Sequence, residues 1–522
     1  MSGVVTLHFR INTAEQFYEA LGEASPDIYY VYIGRSFQFA DDNSPPTPDN
    51  SYSNAEYDPW RDMIGMKRVQ TSDVSFISPR YNWTNNTLYT QYTDTQTSLN
   101  AEQFYVLQTD DNNVYKCIDN NRGANSTVKP TGTGTSIIST ADNYRWKYMF
   151  NITSADRTAW LSIDYFPVKR LTADDSSDQW DVQQAAANGA IHQVDISANG
   201  TGYLSHTANV AAANSTAIKL ATTAAANDAA YVHSAVYIKS GLGLGQIRRI
   251  VNYNGTTKYA TVNGAFTTTP NTQSHYVVSP RVNILGDSGQ TVSSLSTAYV
   301  SNTAGGQVRK ITVIAEGLNY SQGNVAITAN GSHGSGATAT PVISPPDGHG
   351  YAPVKELFAF NVMLNASMVG AEGNTLPTNN EFRTIGMIAN PRLRAGSLAN
   401  AALIDQCTRI TLNAVSGDYH QDEVITDSAT GCTAKVVRFS NTNASGSTGI
   451  LRAIRVVTTG TGKTFRAGST VSGANSSVTA NVISIARPAL REYTGDIIYH
   501  ETRRPVQRAA DQTDRIKVIV KF

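Results

Sequence analysis

The chain has few charged side chains for its length. Of its 522 residues only 16% are Asp, Glu, Lys or Arg, and 41 basic residues balance 41 acidic ones. A neutral balance provides no electrostatic attraction for nucleic acid or for an anionic membrane surface, so we expect neither as a partner. The polar content comes instead from Asn, Thr, Ser and Gly, alongside 26 Tyr. This composition favours β-structure and loops over long helices.

Cysteine is scarce and long apolar runs are missing. Cys117, Cys407 and Cys432 are far apart and form no C-x-x-C pair, which argues against a zinc site or a disulfide framework. No stretch reaches the roughly 18 apolar residues of a transmembrane helix, and the N-terminal residues have no apolar region typical of a secretion signal. We therefore expect a soluble protein made in a reducing cytoplasm, with no metal and no cofactor.

Composition divides the chain into five segments. Residues 1–185, 351–409 and 488–522 contain aromatic strand-like runs and short helical patterns, whereas 186–350 and 410–487 are rich in Gly, Ser, Thr and Ala. Alternating Val and Ile with turn residues every ten or so positions predicts many short strands in the last two segments. We therefore predict a mainly β protein. Its host domain is a layered β-sandwich with short helices in loops, interrupted by two inserted small β-modules.

Local patterns give specific predictions. Residues 12–23 (NTAEQFYEALGE) have the spacing of a capped amphipathic helix, and 27–36 (DIYYVYIGRS) predict a buried strand. Residues 58–69 (DPWRDMIGMKRV) predict a short helix that starts with an aspartate cap and a proline. Asn254-Gly255 lies between two alternating runs and predicts a β-hairpin.

The two Gly-rich segments share a loose repeat. Residues 311–343 and 454–484 align as a strand, a Gly-rich turn, an aromatic residue, a glycine, a valine and further strands. The copies are too few and too imperfect for a solenoid, so we interpret them as parts of the inserted modules.

The most enzyme-like cluster lies near the C-terminus, where His500 and Glu501 precede Arg503 and Arg504. Such a group could act as a general acid and base on an anionic substrate. Neighbouring residues of a regular strand point to opposite faces, however, so His500 and Glu501 would not share a site. A polar strand end interrupted by Pro505 is the favoured interpretation.

Other candidate sites are weaker still. Asp347 and His349 stand two residues apart, but no third metal ligand follows at a recognisable spacing. A glycan hydrolase needs two converging carboxylates, and the adjacent Asp422 and Glu423 would point apart on a strand. We therefore expect no enzymatic activity.

Aromatic residues recur at the spacing of a strand face. Tyr30 and Tyr32 are two apart, as are Tyr144, Trp146 and Tyr148. Such a face could stack bases or sugars. Packing in a core or an interface is its ordinary use, and we predict that role here.

Six stretches of the host segments together resemble a known protein family in their sequence and in their order along the chain. They are 15–36 (EQFYEALGEASPDIYYVYIGRS), 77–83 (ISPRYNW), 114–120 (VYKCIDN), 143–152 (NYRWKYMFNI), 381–391 (EFRTIGMIANP) and 495–522, the C-terminal stretch beginning GDIIYHETRRP. Together they resemble the baseplate wedge protein of T-even-type contractile-tailed phages, the product of their gene eight. The resemblance covers roughly half of the chain. The segments 186–350 and 410–487 have no counterpart in the T-even form, and Thr502 stands where the family pattern has Asn.

The resemblance implies a non-enzymatic subunit of the virion, located in the tail baseplate. It also implies a homodimer that contacts neighbouring wedge proteins, including the central wedge and the short-fibre-connecting subunits. Arginine forks suit partly buried carboxylates at such contacts, and large aromatics suit their centres. The predicted interface residues are Arg35, Trp60, Arg80, Trp83, Arg383, Tyr499, Arg503 and Arg504.

A second hypothesis concerns the Gly-rich segments. Small β-modules often display loops, so 186–350 and 410–487 could bind a host-surface molecule or a glycan. Their low aromatic content argues against strong stacking on sugar rings.

Overall fold

A computed structural model describes residues 5–23, 27–96, 104–286, 294–329, 333–457 and 464–522, with residues 52–56 described by their backbone alone. The chain divides into two compact units. The central unit comprises Met1–His8 and Ser78–Ala359, and the flanking unit comprises Phe9–Ile77 and Phe360–Phe522. The segment boundaries of host and insertions stay a prediction.

The elements follow the chain in three runs. The first is α1 (Leu7–Ala20), β1 (Tyr29–Gly34), α2 (Tyr52–Asp62), β2 (Met63–Arg68), a 3-10 turn (Thr71–Asp73) and β3 (Val74–Pro79). The second is β4 (Tyr105–Gln108), β5 (Asn113–Asp119), β6 (Ile138–Ser139), β7 (Arg145–Asn151), α3 (Ser154–Trp160), β8 (Tyr165–Val168), α4 (Asp178–Gln184), β9 (Ile191–Thr201), β10 (His206–Asn209), β11 (Ala212–Ala213), β12 (Ala217–Lys219), β13 (Ala235–Ser240), β14 (Ile247–Tyr253), β15 (Tyr259–Val262), β16 (His275–Ser279), β17 (Arg281–Leu285), β18 (Thr297–Ala304), β19 (Gln307–Ala315), β20 (Asn324–Thr328), β21 (Ser335–Ile343) and α5 (Pro353–Glu356). The third is β22 (Asn361–Val369), β23 (Asn380–Ala389), β24 (Leu403–Asp405), β25 (Thr408–Asn413), β26 (Val424–Asp427), β27 (Thr433–Asn441), β28 (Thr448–Val457), β29 (Thr470–Gly473), β30 (Thr479–Ala486), β31 (Asp496–Arg508) and β32 (Thr513–Lys521).

The protein is mainly β, with 44% of residues in strands and 8% in helices, as the composition predicts. None of the described helices has the length and hydrophobicity needed to cross a bilayer.

A five-stranded antiparallel sheet organises the flanking unit, in the order β24-β2-β1-β23-β31. Its middle strand β1 is the strand predicted over 27–36. Val31 and Ile33 contribute to a core shared with Leu364 of β22 and Ile516 of β32. Strands β22 and β32 pair in a second sheet, so two sheets face each other across this core.

The helix predicted over 58–69 is confirmed only at 58–62, and its second half is wrong. Helix α2 ends at Asp62, Pro59 lies inside it, and Met63–Arg68 forms β2 instead. Strand β2 pairs antiparallel with the central strand β1 and buries its first four residues. Pairing with a buried strand outweighs the local capping pattern, because tertiary packing routinely overrides helix propensity. The helix predicted over 12–23 is confirmed, although α1 starts earlier, at Leu7.

A closed six-stranded barrel follows in the chain, in the order β25-β28-β27-β26-β29-β30. Its interior is apolar, with Ile410, Leu412 and Leu451 each 0% exposed. Two of its side chains, Val437 and Ile454, contribute to the core of the five-stranded sheet. The barrel is therefore packed against that sheet within the flanking unit.

The central unit contains three sheets. Strands β4-β5-β7-β6 form the first, whose core includes the predicted aromatic face of Tyr144, Trp146 and Tyr148. Strands β10-β16-β13-β14-β15-β12-β11 form the second, and β19-β18-β17-β20-β21-β9 form the third. The predicted hairpin at Asn254-Gly255 is confirmed between β14 and β15, with a loop longer than two residues.

The six-stranded sheet and the barrel share one strand order. We call the six-stranded sheet (β9 and β17–β21) and the barrel (β25–β30) the two six-stranded modules. When the strands of each module are numbered one to six in chain order, their spatial order is 4-3-2-5-6-1 in both. All the described strand pairs in both modules are antiparallel. Strands β9 and β19 at the two sheet edges come together at both ends, where Ile191 donates to Glu316 and Tyr203 to Gly306 through their backbones. The repeat seen in the sequence corresponds to strands four to six of each module. Its aromatic positions, Tyr320 and Phe465, are both buried.

The second face of β1 depends on a glycine. Tyr30 and Tyr32 pack there with Trp60 and Ile388. Gly386 of β23 pairs with Tyr32, and a methyl group on Gly386 would collide with the Tyr32 hydroxyl and the Tyr499 carbonyl oxygen. A larger residue at 386 would therefore displace the tyrosine from the core.

We expect Gly386→Ala to lower the free energy of unfolding by about 1–3 kcal/mol, the range for overpacked cores. Gly134→Ala is the control, because no atom of the described residues lies within 4 Å of its added methyl group and the substitution reduces the entropy of the unfolded chain. Urea unfolding followed by circular dichroism measures both. Equal stability of the two variants would contradict the packing argument.

Candidate functional site

The eight predicted interface residues differ in exposure. Trp60 and Arg383 are 4% and 1% exposed. Those of intermediate exposure are Arg35, Arg80 and Trp83, and those exposed are Tyr499, Arg503 and Arg504. Exposed residues can meet a partner without any rearrangement of this chain, whereas Trp60 and Arg383 already serve its own core. Their assignment to interfaces stays a prediction.

The carboxylate of Asp62 lies between two arginines, and we call Arg35, Asp62 and Arg455 the Asp62 cluster. Asp62 is 5% exposed. Arg455 donates to both carboxylate oxygens, with Nη2 2.9 Å from Oδ2, and Arg35 Nη1 lies 3.9 Å from Oδ2. Because Arg455 belongs to β28 and Arg35 follows β1, a single carboxylate links the barrel to the five-stranded sheet. Asp42 and Asp58 add negative charge near Arg35 and Arg455 respectively.

The side chain of Arg35 is fixed from several directions. Its guanidinium donates to the carbonyl oxygens of Phe37 and Gln38, both at 3.2 Å, and stacks 4.0 Å and 4.1 Å from the ring centres of Phe37 and Phe39. The backbone of Arg35 has a φ of 52°, and its amide donates to the Asp62 carbonyl oxygen at 2.8 Å. The turn after β1 therefore presents this arginine in one orientation.

Arg383 forms a second buried ion pair in the same unit. Its guanidinium binds Asp42 through two parallel hydrogen bonds of 2.9 Å and 2.8 Å and also binds Glu381 at 2.7 Å. The hydrogen bond from Arg383 holds the pKa of Asp42 below its ordinary value. A bidentate pair of this kind fixes geometry as well as charge, so it pins the loop that contains Asp42 to β23.

Further barrel arginines contact the rest of the flanking unit, and sequence reasoning missed them together with Asp62 and Arg455. Arg452 donates to Asp405 at 3.0 Å and to the Asn374 carbonyl oxygen at 2.7 Å, and Arg438 donates to the Thr378 hydroxyl at 2.7 Å. Burial raises the pKa of Asp405 even with Arg452 beside it. One signal in the sequence could have identified Arg452 and Arg455. They interrupt the otherwise apolar strand 450–457 (ILRAIRVV), and a charged residue in such a strand usually needs a partner.

A pocket of about 520 Å³ lies over the Asp62 cluster. The cluster lines it together with the loop at 46–50 and with 497–500 of β31. Of the predicted interface residues, the structure brings Arg35 and Tyr499 together here. Arg503 and Arg504 follow a few residues later on the same strand.

His500 and Glu501 face different surroundings, as the strand geometry predicts. His500 Nδ1 lies 2.8 Å from the Tyr32 hydroxyl, and burial lowers the pKa of His500. Glu501 accepts a hydrogen bond from the Tyr499 hydroxyl and lies 3.4 Å from Arg503 Nε. Burial, with the neighbouring Glu501, raises the pKa of Tyr499 to about 12. The arrangement separates the acid and the base that general acid–base catalysis would need together.

Glu423 and Asp422 likewise have separate environments. Glu423 accepts hydrogen bonds from the backbone amides of His420, Asn475 and Ser476. Burial raises the pKa of Asp422, and the positive charges of Arg383 and Lys435 oppose that shift. The Glu423 carboxylate therefore stabilises two loops of the barrel through hydrogen bonds to their backbone amides.

Arg80 and Trp83 lie in the central unit. Arg80 donates to Asn82 at 2.9 Å and to the Ser162 carbonyl oxygen at 2.8 Å. The Trp83 indole donates to the Ser126 hydroxyl at 3.2 Å. Both contacts stabilise loops, and the Trp83 indole is partly exposed to solvent.

The central unit also contains a fully buried ion pair. Lys116 Nζ lies 2.9 Å from Glu356 Oε2 and 3.0 Å from His349 Nδ1, and the side chains of all three are at most 3% exposed. Burial would raise the pKa of Glu356, but Lys116 and His349 outweigh it and hold the value at about 2. Burial and Lys116 together keep the pKa of His349 well below 6.5. His349 therefore belongs to an ion-pair network, and the described residues contain no group of three potential metal ligands.

The comparisons with known proteins bear on the N-terminal part of the chain. Residues 3–123 match the family model described as Phage-Gp8: Bacteriophage T4, Gp8. This match places the protein in the tail baseplate of the virion and supports a structural role there. It spans 121 of the 522 residues and includes the stretches 15–36, 77–83 and 114–120 on which the resemblance rests. No curated protein matches the chain.

We expect Asp62→Asn to lower the free energy of unfolding by about 1–3 kcal/mol, because two largely buried arginines lose their shared counter-charge. Asp58→Asn is the matched control, since its carboxylate is 53% exposed and lies 4.0 Å from Arg61. Surface pairs of that kind contribute about 0–1 kcal/mol. Urea titration of each variant at neutral pH measures the difference, and a loss for Asp58→Asn equal to that for Asp62→Asn would refute the argument.

The low pKa of His349 predicts a pH dependence of stability. Just below pH 6.5 the unfolded chain binds a proton at this ring and the folded chain does not. The free energy of unfolding therefore falls as pH decreases, by up to about 1.4 kcal/mol per pH unit. We expect His349→Gln to reduce this slope between pH 7 and pH 5.

Tryptophan fluorescence is the suitable measurement, because four of the five tryptophans lie in the central unit. The control is His233→Asn, which removes an exposed histidine whose φ of 69° asparagine tolerates. That variant should retain the wild-type slope. An unchanged slope in His349→Gln would show that other groups cause the acid sensitivity.

Proposed function

We propose that this chain is a structural subunit of a phage baseplate wedge. It assembles with other wedge proteins, among them the central wedge and the short-fibre-connecting subunits, and takes part in the rearrangement of the baseplate during infection. It acts as a homodimer and without enzymatic activity. The observation that carries the proposal is the family match over residues 3–123.

The ion pairs of the flanking unit support this role. The Asp62 cluster and the Arg383–Asp42 pair fix a barrel and a loop to one sheet, so that this unit can transmit force without deforming. Buried, hydrogen-bonded charges hold one geometry, because any other arrangement would leave them unpaired. A wedge subunit that moves as a rigid body needs this property.

Capture of the tagged full chain from a lysate of infected cells tests the proposal. We expect tail wedge proteins in a fixed ratio, identified by mass spectrometry. Recovery of host envelope components alone would overturn it and favour an adhesin.

The alternative of a glycan-binding role for the inserted modules stays a prediction. A polar pocket of about 430 Å³ in the central unit is lined by Gln193, Asp195 and Arg309 among others, and none of the described residues that line it is aromatic. Sugar sites commonly use such a ring for stacking. Replacing the loop at 442–447, which joins β27 to β28 and is mostly exposed, and measuring adsorption to host cells tests the second segment while leaving the barrel strands in place.

We expect Arg503→Glu to weaken assembly with wedge partners and to leave the fold intact. Arg503 is 47% exposed and has one loose ion pair, with Glu501, so its reversal costs little within the chain. A reversed charge at a partner contact would cost several-fold in affinity. Analytical ultracentrifugation of mixtures reads out assembly, and thermal unfolding checks the fold. Unchanged assembly would remove Arg503 from the interface.

A further inference from the structure

Strand β32 of the flanking unit has one edge that faces no other described strand. It is the outermost strand of its sheet, where it pairs with β22. That ladder is regular over all nine residues, from Thr513 to Lys521, without a bulge, and the strand contains no proline or glycine. An edge of this kind offers the N–H and C=O groups of every second residue to another chain.

We propose that this edge pairs with an extended segment of a neighbouring tail subunit in which acidic and apolar residues alternate. The inference rests on the proposed wedge role and names the surface and the chemistry of one contact. Backbone hydrogen bonds to β32 would provide the affinity, and the alternating side chains of the segment would provide the specificity.

One face of β32 is positively charged. Arg515, Lys517 and Lys521 lie on it, because alternate residues of a strand share a face, and all three are exposed. Burial and the neighbouring charge of Arg515 lower the pKa of Lys517. Acidic side chains of an incoming strand would lie opposite these cations, where pairs of opposite charge are favourable. The residues that β22 places beside the three cations are uncharged, namely Ser367, Asn365 and Asn361.

The other face of β32 points into the core of the flanking unit. Ile516 and Val518 are 4% and 9% exposed, and Val520 packs against the same core. Asp514 is the one acidic residue of the strand. It lies on this second face and binds Arg508 at 2.7 Å, so it leaves the positive face unchanged. Apolar side chains of an incoming strand would extend the row from Ile516 to Val520.

Both ends of β32 are held in place within the flanking unit. Near the start, the Arg508 side chain that binds Asp514 is only 1% exposed. Beyond the end, the Arg10 guanidinium donates to the Phe522 carbonyl oxygen, and the ring centres of Phe17 and Phe522 lie 5.6 Å apart. A strand that is already ordered loses little conformational entropy when it pairs.

A second copy of this chain fits the edge poorly. A β32 strand related by a twofold axis that continued the sheet would present the same positive face. Its cations would then lie opposite Arg515, Lys517 and Lys521 or opposite uncharged residues, and like charges opposite one another are destabilising. The charges therefore disfavour self-pairing and favour a different, acidic chain.

Hydrogen–deuterium exchange tests the strand pairing on the full chain, alone and in complex with the tail subunit that co-purifies with it. We expect alternate amides between Ile516 and Lys521 to exchange at least about tenfold more slowly in the complex, because new backbone hydrogen bonds protect them. A contact made by side chains alone would leave these exchange rates unchanged.

Charge reversal tests the acidic chemistry of the partner. The double variant Lys517→Glu with Lys521→Glu should raise the Kd for that subunit at least about tenfold, whereas Lys517→Arg should bind as the wild type does. Lys239→Glu is the matched control, because Lys239 is an exposed strand lysine of the central unit, and its Kd should not change. Exposed charges contribute little to folding, so all melting temperatures should stay close to that of the wild type. Acid-to-lysine substitutions in the protected segment of the partner should restore binding to the double variant.

The outcomes distinguish the two proposals. If the wild-type chain captures no tail subunit, the wedge role fails and this contact fails with it. If capture succeeds but β32 gains no protection, or the double variant binds as tightly as the wild type, the wedge role stands and the pairing with an acidic strand is overturned. Protection of β32 that rises with the concentration of the chain alone would also overturn it, by showing that a second copy occupies the edge.

Discussion

The flanking unit depends on how one buried carboxylate is neutralised. Asp62 ends helix α2, precedes strand β2 of the five-stranded sheet and binds Arg455 of the barrel. Removing a carboxylate from water is unfavourable unless cations and hydrogen bonds replace the solvent. The helix end, the turn at Arg35 and the barrel strand must therefore take up their positions together. The Asp62 carboxylate thus helps to fix the relative positions of three segments that are separated in the sequence.

The two six-stranded modules show how the chain accommodates so much β-structure. Each begins and ends with neighbouring strands, as in the pairing of β9 with β21 and of β25 with β30. A module whose termini are adjacent can be accommodated in a loop without separating the flanking elements. In the central unit, the connection between strands one and two contains the whole sheet from β10 to β16, where the barrel has only a short loop. The two modules have the same strand order although the connections between their first and second strands differ greatly in length. This indicates that the chain uses one architecture twice.

Prediction from sequence succeeded where the pattern was local. Strand β1, the aromatic face at Tyr144 and the hairpin at Asn254 follow from alternation and turn chemistry, which depend on neighbouring residues. The second half of the helix predicted over 58–69 was wrong because those residues pair with β1, a contact that no local pattern contains. The candidate site shows the same limit. Arg35 and Tyr499 were identified individually, but their convergence on Asp62 and Arg455 depends on contacts nearly 400 residues apart in the chain.

Strand β31 lies at the edge of the five-stranded sheet, and its sequence affects whether that edge can pair with another chain. Opposite β31, the register moves from Thr384↔Thr502 to Phe382↔Val506, so Arg503, Arg504 and Pro505 bulge out of the ladder. A bulge, two charges and a residue without an amide hydrogen are the features that prevent an edge strand from pairing with another chain. The same three residues thus disfavour extension of the sheet along this edge, so that a contact made there would use side chains rather than backbone hydrogen bonds.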